Sequence, residues 1–227
     1  MQCVCVCLLL ALVSLSSSSS GLVPGVRLSD VVWGFSELLA DEILRSSSFF
    51  QELRSGNLTQ RCYDNFQQQE ALYLTRVSST LEALISRSQE AVEPRSLLQE
   101  TLKHYSSRNQ SLPESPSPQW LLLSLQSLHS LVLEEPIYWL LALSSRPRLR
   151  VFMAGELQGA RVKDNRLLQQ WREDTKEEVT WILRVRKLME EQQDHMDAFK
   201  AINIFREQMM NQKSFYKALS CDEEKKR

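Results

Sequence analysis

The chain has 227 residues and a formal net charge of −1 at pH 7, from 27 Lys and Arg against 28 Asp and Glu. This near balance argues against a nucleic-acid-binding protein, which would carry a basic surplus. With only six Gly and seven Pro, and with Leu, Gln, Glu, Ser and Arg dominant, the composition is typical of a helical protein.

The N-terminus predicts a secretory signal. Residues Cys7–Leu15 form an apolar run that is too short to span a bilayer, and the small polar run Ser16–Ser20 follows it. We therefore expect residues 1–20 to be cleaved, residues 21–221 to form one helical domain, and residues 222–227 to be a solvated charged tail. The mature protein would then be secreted, with no membrane attachment. Because no Lys or Arg precedes the apolar run, an uncleaved signal-anchor stays open as the alternative.

Helical periodicity follows in the rest of the chain, and no alternation of period two persists. Ser29 or Asp30 is the predicted cap of a first helix that runs to about Phe50. Residues 107–118, with several Pro and Ser, are a predicted loop. The other predicted helices are Thr59 to about Gln89, Pro94 to about Ser106, Trp120–Leu133, Pro136–Ser144, Arg146 to about Leu157, Asp164 to about Arg172, Lys176–Glu191, and Asp197 to about Ser220.

The most distinctive segment is residues 49–84. Gly56 follows the end of the first helix, and Thr59 caps the second. A carboxylate, Glu70, lies in the middle of an otherwise apolar face of this second helix, and burying it without a partner would cost several kcal/mol. Glu70 therefore either holds an N–H group of a ligand on which Tyr73 stacks, or is satisfied by Arg76 or a neighbouring helix. The face is formed by Tyr63, Phe66, Glu70, Tyr73 and Val77.

The same segment resembles the TenA family, thiaminase II-like proteins of the heme-oxygenase-like fold. Gly56-Asn57-Leu58 matches the family's G-x-L turn, and Gln69-Glu70-Ala71-Leu72-Tyr73-Leu74 matches its Q-D-x-x-Y-L signature. Pro136-Ile137-Tyr138-Trp139-Leu140 is similar to the P-C-Y-W-L segment, and Gln212-Lys213-Ser214-Phe215-Tyr216 is similar to the terminal E-x-x-F-W. In this order the matches cover most of the chain from Phe49 to Tyr216. They imply an all-α bundle of about seven or eight helices.

The departures from the family pattern imply that thiaminase II chemistry is lost. Ile137 stands in place of the nucleophilic cysteine, and Gln212 in place of the acid/base glutamate, so neither a thiolate nor a titrating group is present. Glu70 matches the pyrimidine-binding aspartate, Tyr73 a retained pocket tyrosine, and Leu141 a replaced one. The resemblance thus implies a pocket for a small heteroaromatic or apolar ligand, lined by Phe49, Glu70, Tyr73, Ile137, Leu141 and Gln212.

The predicted compartment also bears on the cysteines. After signal removal, Cys62 and Cys221 remain, and an even pair in an oxidising compartment favours one disulfide, with two free thiols as the alternative. In the TenA-like arrangement, Glu70 and Gln212 face one pocket on antiparallel helices, so both cysteines would reach the same end of the bundle. The long loop that such a bond closes corresponds to a stabilisation of roughly 4 to 5 kcal/mol.

Two sequons, Asn57-Leu58-Thr59 and Asn109-Gln110-Ser111, predict N-glycosylation of Asn57 and Asn109 in a secreted protein. Asn109 is the more accessible candidate, because Asn57 falls in a tight turn. TenA-like proteins commonly form tetramers, so the resemblance also implies a homo-oligomer unless the glycans block the contact faces.

Three functions remain open. The first is a secreted, non-catalytic TenA-like protein that binds a small molecule, and the second is a secreted helical signalling protein of cytokine type. The third is an enzyme of altered chemistry that uses Glu70 as general base. No metal or cofactor is expected, because His104, His129 and His195 are far apart in sequence and none lies where a heme ligand would. A cavity beside Glu70 would favour the ligand binder, whereas a filled core would favour the cytokine type.

Overall fold

The computed structural model describes residues 25–87, 92–107, 117–159 and 166–221. These residues contain helices and no strand, which confirms the predicted all-α class. The nine helices in this part of the chain slightly exceed the seven or eight that the resemblance implies. In chain order they are α1 (Leu28–Gly34), α2 (Glu37–Ser46), α3 (Ser48–Ser55), α4 (Gln60–Arg87), α5 (Val92–Ser107), α6 (Gln119–His129), α7 (Pro136–Gly159), α8 (Arg166–Gln192) and α9 (Ala198–Ala218).

Five of the predicted features lie wholly or mostly outside the described residues. They are the signal at residues 1–20, the loop at residues 107–118, the sequon asparagine Asn109, the helix start at Asp164 and the charged tail at residues 222–227. Within the part of the chain that the structure describes, no helix combines the length and the apolar character that a membrane crossing requires.

The prediction of one continuous first helix was wrong, because the chain bends twice between residues 28 and 55. One bend lies at Phe35 and Ser36, and the other at Ser47, whose φ of −80° and ψ of 122° are extended. Ser47 is the middle residue of a run of three serines, which have a weak helix propensity. The bends allow all three short helices to turn apolar residues into the core, namely Leu28, Val32, Ala40, Ile43, Phe49, Phe50 and Leu53.

The predicted helix boundaries at Gly56, Thr59 and Asp197 are confirmed. Gly56 follows α3 in the left-handed conformation, with φ of 75°, which a glycine adopts without steric cost. The hydroxyl of Thr59 accepts a hydrogen bond from the backbone N–H of Cys62 at 3.2 Å, at the start of α4. The carboxylate of Asp197 accepts one from the backbone N–H of Lys200 at 3.0 Å, at the start of α9.

Two other predicted breaks are absent. α7 runs through Ser145, where the break was predicted, and on through Pro147, and α8 runs through residues 173–175. A proline inside a helix costs about 3 kcal/mol, but residues 136–147 are all buried, so their packing outweighs that cost. In α8 the hydroxyl of Thr175 donates a hydrogen bond to the carbonyl of Trp171 at 2.8 Å, within the continuing helix.

The central element of the bundle is α7. It packs against α8 and α9 most extensively, and also against α5 and α2, while α4 packs on α5 and α6. Next to α7 lies an aromatic cluster in which Phe66 stacks on Phe49 with ring centroids 4.6 Å apart, and Phe50 lies 4.7 Å from Tyr216. This packing fixes the faces of α4, α7 and α8 that meet in the interior.

A disulfide joins Cys62, near the start of α4, to Cys221, just beyond α9. The two Cα atoms are 5.4 Å apart and the residues are 159 positions apart in sequence. The predicted pairing is therefore confirmed, and with it the expectation that both cysteines reach the same end of the bundle. Near this end the hydroxyl of Ser48 donates to the carbonyl of Leu219 at 2.9 Å and accepts from the backbone N–H of Cys221 at 3.3 Å.

Candidate functional site

Four buried charged residues from three helices meet in the interior and form what we call the charge cluster: Glu70 of α4, Arg146 and Arg150 of α7, and Glu178 of α8. Oε1 of Glu70 accepts hydrogen bonds from Nη1 of Arg146 at 2.6 Å and from Nη1 of Arg150 at 2.7 Å. Oε1 of Glu178 accepts from Nη2 of Arg146 at 2.7 Å and from Nη1 of Arg150 at 3.3 Å. The cluster thus ties α4 and α8 to α7.

The two positive and two negative charges of the cluster balance one another in the buried interior. Glu70 is 8% exposed, Arg146 6%, Arg150 0% and Glu178 7%. Burial lowers the pKa of Arg146 and of Arg150, but the adjacent carboxylates of Glu178 and Glu70 more than compensate, so the pKa of each guanidinium is raised above its ordinary value. Both arginines therefore stay charged at any physiological pH.

The sequence places both arginines on one face of α7, because they are four residues apart. Arg148, between them, lies instead over the ring of Trp33, with its guanidinium carbon 4.9 Å from the ring centroid. Aromatic rings flank Arg150, whose guanidinium carbon lies 5.9 Å from the Phe66 centroid and 5.8 Å from that of Trp171. The rings offer their electron-rich faces to the cation.

The sequence analysis did not identify these partners of Glu70. It left Arg76 or a neighbouring helix as alternatives to a ligand, and the structure supplies the neighbouring helix, while Arg76 is exposed. A usable signal was present, since Arg146 and Arg150 lie at i and i+4 of a predicted helix, and two arginines buried on one face require carboxylate partners as much as Glu70 requires a cation. Glu178 could be found in the same way, because it falls on the apolar stripe of α8 with Thr175, Ile182 and Val185.

Three of the six predicted ligand-binding residues, Glu70, Tyr73 and Gln212, line the same cavity. Its volume is about 10 Å³, which is close to the minimum that one water molecule requires. Burial raises the pKa of Tyr73, so its hydroxyl stays protonated. The remaining walls of this small cavity are Arg146, Phe215 and Tyr216.

The other three predicted residues do not line this cavity. Phe49 is fully buried and stacks on Phe66, and Ile137 is 1% exposed in the first turn of α7. Leu141 borders a separate cavity of about 40 Å³ together with Trp33 and Arg148. The structure therefore brings together the polar members of the predicted pocket and places the apolar members in the surrounding core.

A larger cleft lies between α5, α7 and α8 and has a volume of about 260 Å³. Arg146 lines both this cleft and the small cavity beside Glu70 and so belongs to the wall between them. An ion pair between Arg184 and Glu100 lies at the exposed rim, and its hydrogen bond lowers the pKa of the Glu100 carboxyl. The cleft is lined by Glu100, Thr101, His104, Tyr105, Arg146, Pro147, Glu177, Glu178, Thr180, Trp181 and Arg184.

The sequon asparagine within the described residues, Asn57, is exposed at the turn between α3 and α4. Its backbone N–H donates to the carbonyl of Glu52 at 3.0 Å, so the side chain is presented from an ordered turn. The tight turn therefore does not bury Asn57, although the sequence suggested reduced access.

The comparisons with known proteins agree with the fold. No protein-family model matches the sequence, and no curated protein gives a significant match. Among solved structures, a TenA homologue from P. horikoshii OT3 superposes with a TM-score of 0.69 at 15% identity, covering 86% of this chain and 98% of the homologue. A TenA homologue from Pyrococcus furiosus superposes with a TM-score of 0.71 at 11% identity, covering 86% and 100%. The predicted resemblance is confirmed at the level of structure: the chain has the fold of the TenA homologues.

Proposed function

We propose that this protein is a secreted, non-catalytic member of the TenA fold that binds a small heteroaromatic molecule next to its charge cluster. Secretion is supported by the apolar run Cys7–Leu15 and by the Cys62–Cys221 disulfide, a bond that persists in oxidising compartments. The loss of catalysis and the binding of a ligand rest on the interior.

The observation that carries the proposal is the engagement of Glu70 by two guanidiniums. In the TenA resemblance this position grips the pyrimidine, but here its Oε1 already accepts hydrogen bonds from Arg146 and Arg150. The space beside it, about 10 Å³, is too small for a ring. Ile137 and Gln212, at the positions of the nucleophile and the acid/base residue, supply neither a thiolate nor a titrating group.

The same geometry speaks against the third function, an enzyme that uses Glu70 as general base. A general base must reach the proton that it abstracts from a bound substrate. Glu70 is only 8% exposed, and its carboxylate is paired with Arg146 as in a structural ion pair.

Ligand binding is supported by the space on the other side of Arg146. The cleft of about 260 Å³ is larger than the roughly 150 Å³ of an engineered cavity that binds benzene. Two aromatic side chains, Tyr105 and Trp181, and the imidazole of His104 line it, so a flat ring would find surfaces on which to pack.

A signalling protein of cytokine type is the second candidate, and one observation favours it. The core beside Glu70 is filled, which is what a bundle that acts through its surface would show. The two candidates differ in their response to small molecules, because only the first predicts a ligand that stabilises the protein.

The test is a thermal-shift panel on protein purified from a secretory expression system, with thiamin, aminopyrimidines, heme and small aromatic amines. We expect at least one heteroaromatic compound to raise the melting temperature of the protein. We also expect that liquid chromatography detects no cleavage of thiamin after incubation with the protein. A matched variant, Ile137→Cys with Gln212→Glu, should also leave thiamin intact because the cavity beside Glu70 stays closed. Thiamin turnover by the unmodified protein would refute the loss of catalysis. A panel without any stabilising compound would instead favour the cytokine type.

A further inference from the structure

We infer that a second pocket, between α1, α7, α8 and α9, binds a short-chain aliphatic monocarboxylate, with the carboxylate on Arg148 and the alkyl chain directed inward. This pocket has a volume of about 40 Å³ and shares no lining residue with the cleft between α5, α7 and α8. The ligand differs in chemistry from the heteroaromatic molecule proposed above, so the inference stands independently of that function.

The first argument is the state of Arg148, which lines the pocket. In the part of the chain that the structure describes, its guanidinium makes no hydrogen bond and no ion pair. The guanidinium carbon lies 4.9 Å from the centroid of the Trp33 ring, which attracts the positive charge but does not replace a carboxylate as an acceptor for the N–H groups. The side chain is partly exposed, so a ligand in the pocket can reach it. Arg148 therefore offers N–H donors and a positive charge to an anion.

The second argument is the charge around the pocket. Arg186 also lines it, but its Nη2 lies 3.2 Å from Oδ1 of Asp30 and its Nε lies 2.9 Å from Oε1 of Glu190. Arg27 pairs with the same two carboxylates, so these two arginines and two acids balance one another. The charge of Arg148 is left over. Burial and then the positive charge of Arg186 lower the pKa of the Arg148 guanidinium, and Asp30 acts in the opposite direction. One negative charge would neutralise the pocket, which favours a monoanion over a dianion.

The third argument is the apolar inner wall, which fixes the rest of the ligand. It is formed by buried side chains, among them Val32, Leu141, Val185, Met189 and Phe205. Because one probe sphere occupies about 10–15 Å³, the volume of about 40 Å³ holds about three such spheres. The pocket therefore admits an alkyl chain of about two or three carbons and excludes a long chain.

The positions of the charged and apolar walls set the orientation of the ligand. Arg148 is partly exposed and the side chain of Arg186 is 25% exposed, whereas the apolar wall is buried. The carboxylate therefore stays at the mouth and the alkyl chain ends inside. An Asp or Glu side chain of a partner protein would carry its alkyl part on the outer side, and a C-terminus would bring an unpaired amide into the apolar interior. The ligand is therefore a free acid.

The test titrates propionate into the full secreted protein and follows ¹H–¹⁵N NMR spectra, in which the indole N–H of Trp33 reports on the pocket. A Trp33→Phe variant assigns that signal. Propionamide keeps the chain but has no charge, N-acetylglycine keeps the carboxylate but carries an amide, and acetate, butyrate and octanoate vary the chain length. Arg148→Gln removes the charge of the pocket. The matched control is Lys187→Gln, which removes a charge from a side chain that is 77% exposed and does not line the pocket. Circular dichroism verifies that the variants fold.

We expect propionate to bind with a dissociation constant in the millimolar range. Propionamide should bind at least about tenfold more weakly, and Arg148→Gln should weaken propionate by at least about tenfold, because each change removes the charge-assisted hydrogen bonds. N-acetylglycine should also bind at least about tenfold more weakly than propionate. Lys187→Gln should change the affinity by less than about twofold, since water and salt screen an exposed charge. One buried methylene should raise the affinity about fourfold from acetate to propionate, with no further rise from butyrate to octanoate.

Several results would overturn the inference. Equal binding of propionamide, or unchanged propionate binding in a folded Arg148→Gln variant, would refute recognition of the carboxylate. An affinity that keeps rising up to octanoate would refute the short, inward chain, and tighter binding of N-acetylglycine would refute the free acid. Absence of any propionate-dependent shift of the Trp33 signal would refute the site. If Arg148→Gln does not fold, the propionamide and chain-length comparisons on the unmodified protein still decide. All these results leave the proposed heteroaromatic binding untouched, because its panel is scored separately.

Discussion

Replacement of Glu70 by Ala distinguishes a structural carboxylate from one that is kept for a ligand. In the structure, Oε1 of Glu70 accepts from Arg146 at 2.6 Å and from Arg150 at 2.7 Å. Without it, two buried guanidiniums would share the single carboxylate of Glu178. Removal of one partner from a buried ion pair costs about 3–5 kcal/mol, because the remaining charge is left uncompensated.

For a domain of this size, about 1 kcal/mol shifts the melting temperature by about 2–4 °C. We therefore expect Glu70→Ala to melt roughly 6–20 °C below the unmodified protein, and urea denaturation followed by tryptophan fluorescence to give the corresponding free energy of unfolding. The control is Glu42→Ala, which removes an exposed pair with Lys213 (N–O distance 2.6 Å, side chains 51% and 31% exposed). This surface change should cost no more than about 1 kcal/mol.

A double-mutant cycle adds a second measurement. Glu70→Ala with Arg150→Ala leaves Arg146 and Glu178 as a neutral pair, so the double variant should lose clearly less stability than the sum of the two single variants. If Glu70→Ala is as stable as the unmodified protein or more stable, the reasoning about the charge cluster is refuted. Glu70 would then be a residue that lowers the stability of the free protein and serves to bind a ligand.

Three further predictions concern the disulfide, alkaline stability and glycosylation. Replacing both Cys62 and Cys221 by Ser should lower the free energy of unfolding by up to about 5 kcal/mol, because the closed loop is long; an unchanged urea midpoint would contradict this. Burial raises the pKa of Tyr73 above its ordinary value, so its contribution to stability is complete below about pH 10 and is lost as pH rises further. Tyr73→Phe should therefore make the decline of stability above about pH 10 shallower by up to about 1.4 kcal/mol per pH unit, and equal slopes in urea titrations would argue against this. Asn57→Gln should remove one glycan mass from the secreted protein while preserving the Thr59 cap of α4, and an unchanged mass would show that the sequon is unused.

The sequence predicted the features that depend on local chemistry or on a motif order. Gly56, Thr59 and Asp197 mark helix ends through short-range hydrogen bonds and backbone conformation, so their roles were readable from neighbouring residues. The TenA-like fold was readable because its short motifs recur in order along most of the chain. The disulfide followed from the count of cysteines together with that fold.

The partners of Glu70 were not predicted, because they are 76 and 80 positions away in sequence. Periodicity shows which face of a helix is buried but not which helix it meets. The cleft was missed for the same reason, since its walls come from α5, α7 and α8. The continuity of α7 through Pro147 was decided by tertiary packing that overrides local propensity. The break at Ser47 falls instead in a serine run of weak helix propensity, a local signal that the sequence analysis did not use.

The disulfide has a topological consequence for the order in which the molecule can come apart. It closes a covalent ring from Cys62 to Cys221, and every residue of the charge cluster lies inside that ring. In the oxidised unfolded chain the segments that carry the four charges therefore stay tethered, which shortens the search by which they find one another. Helices α1, α2 and α3 precede Cys62 and lie outside the ring. They can detach from the bundle while the ring stays closed around the helices that hold the charges.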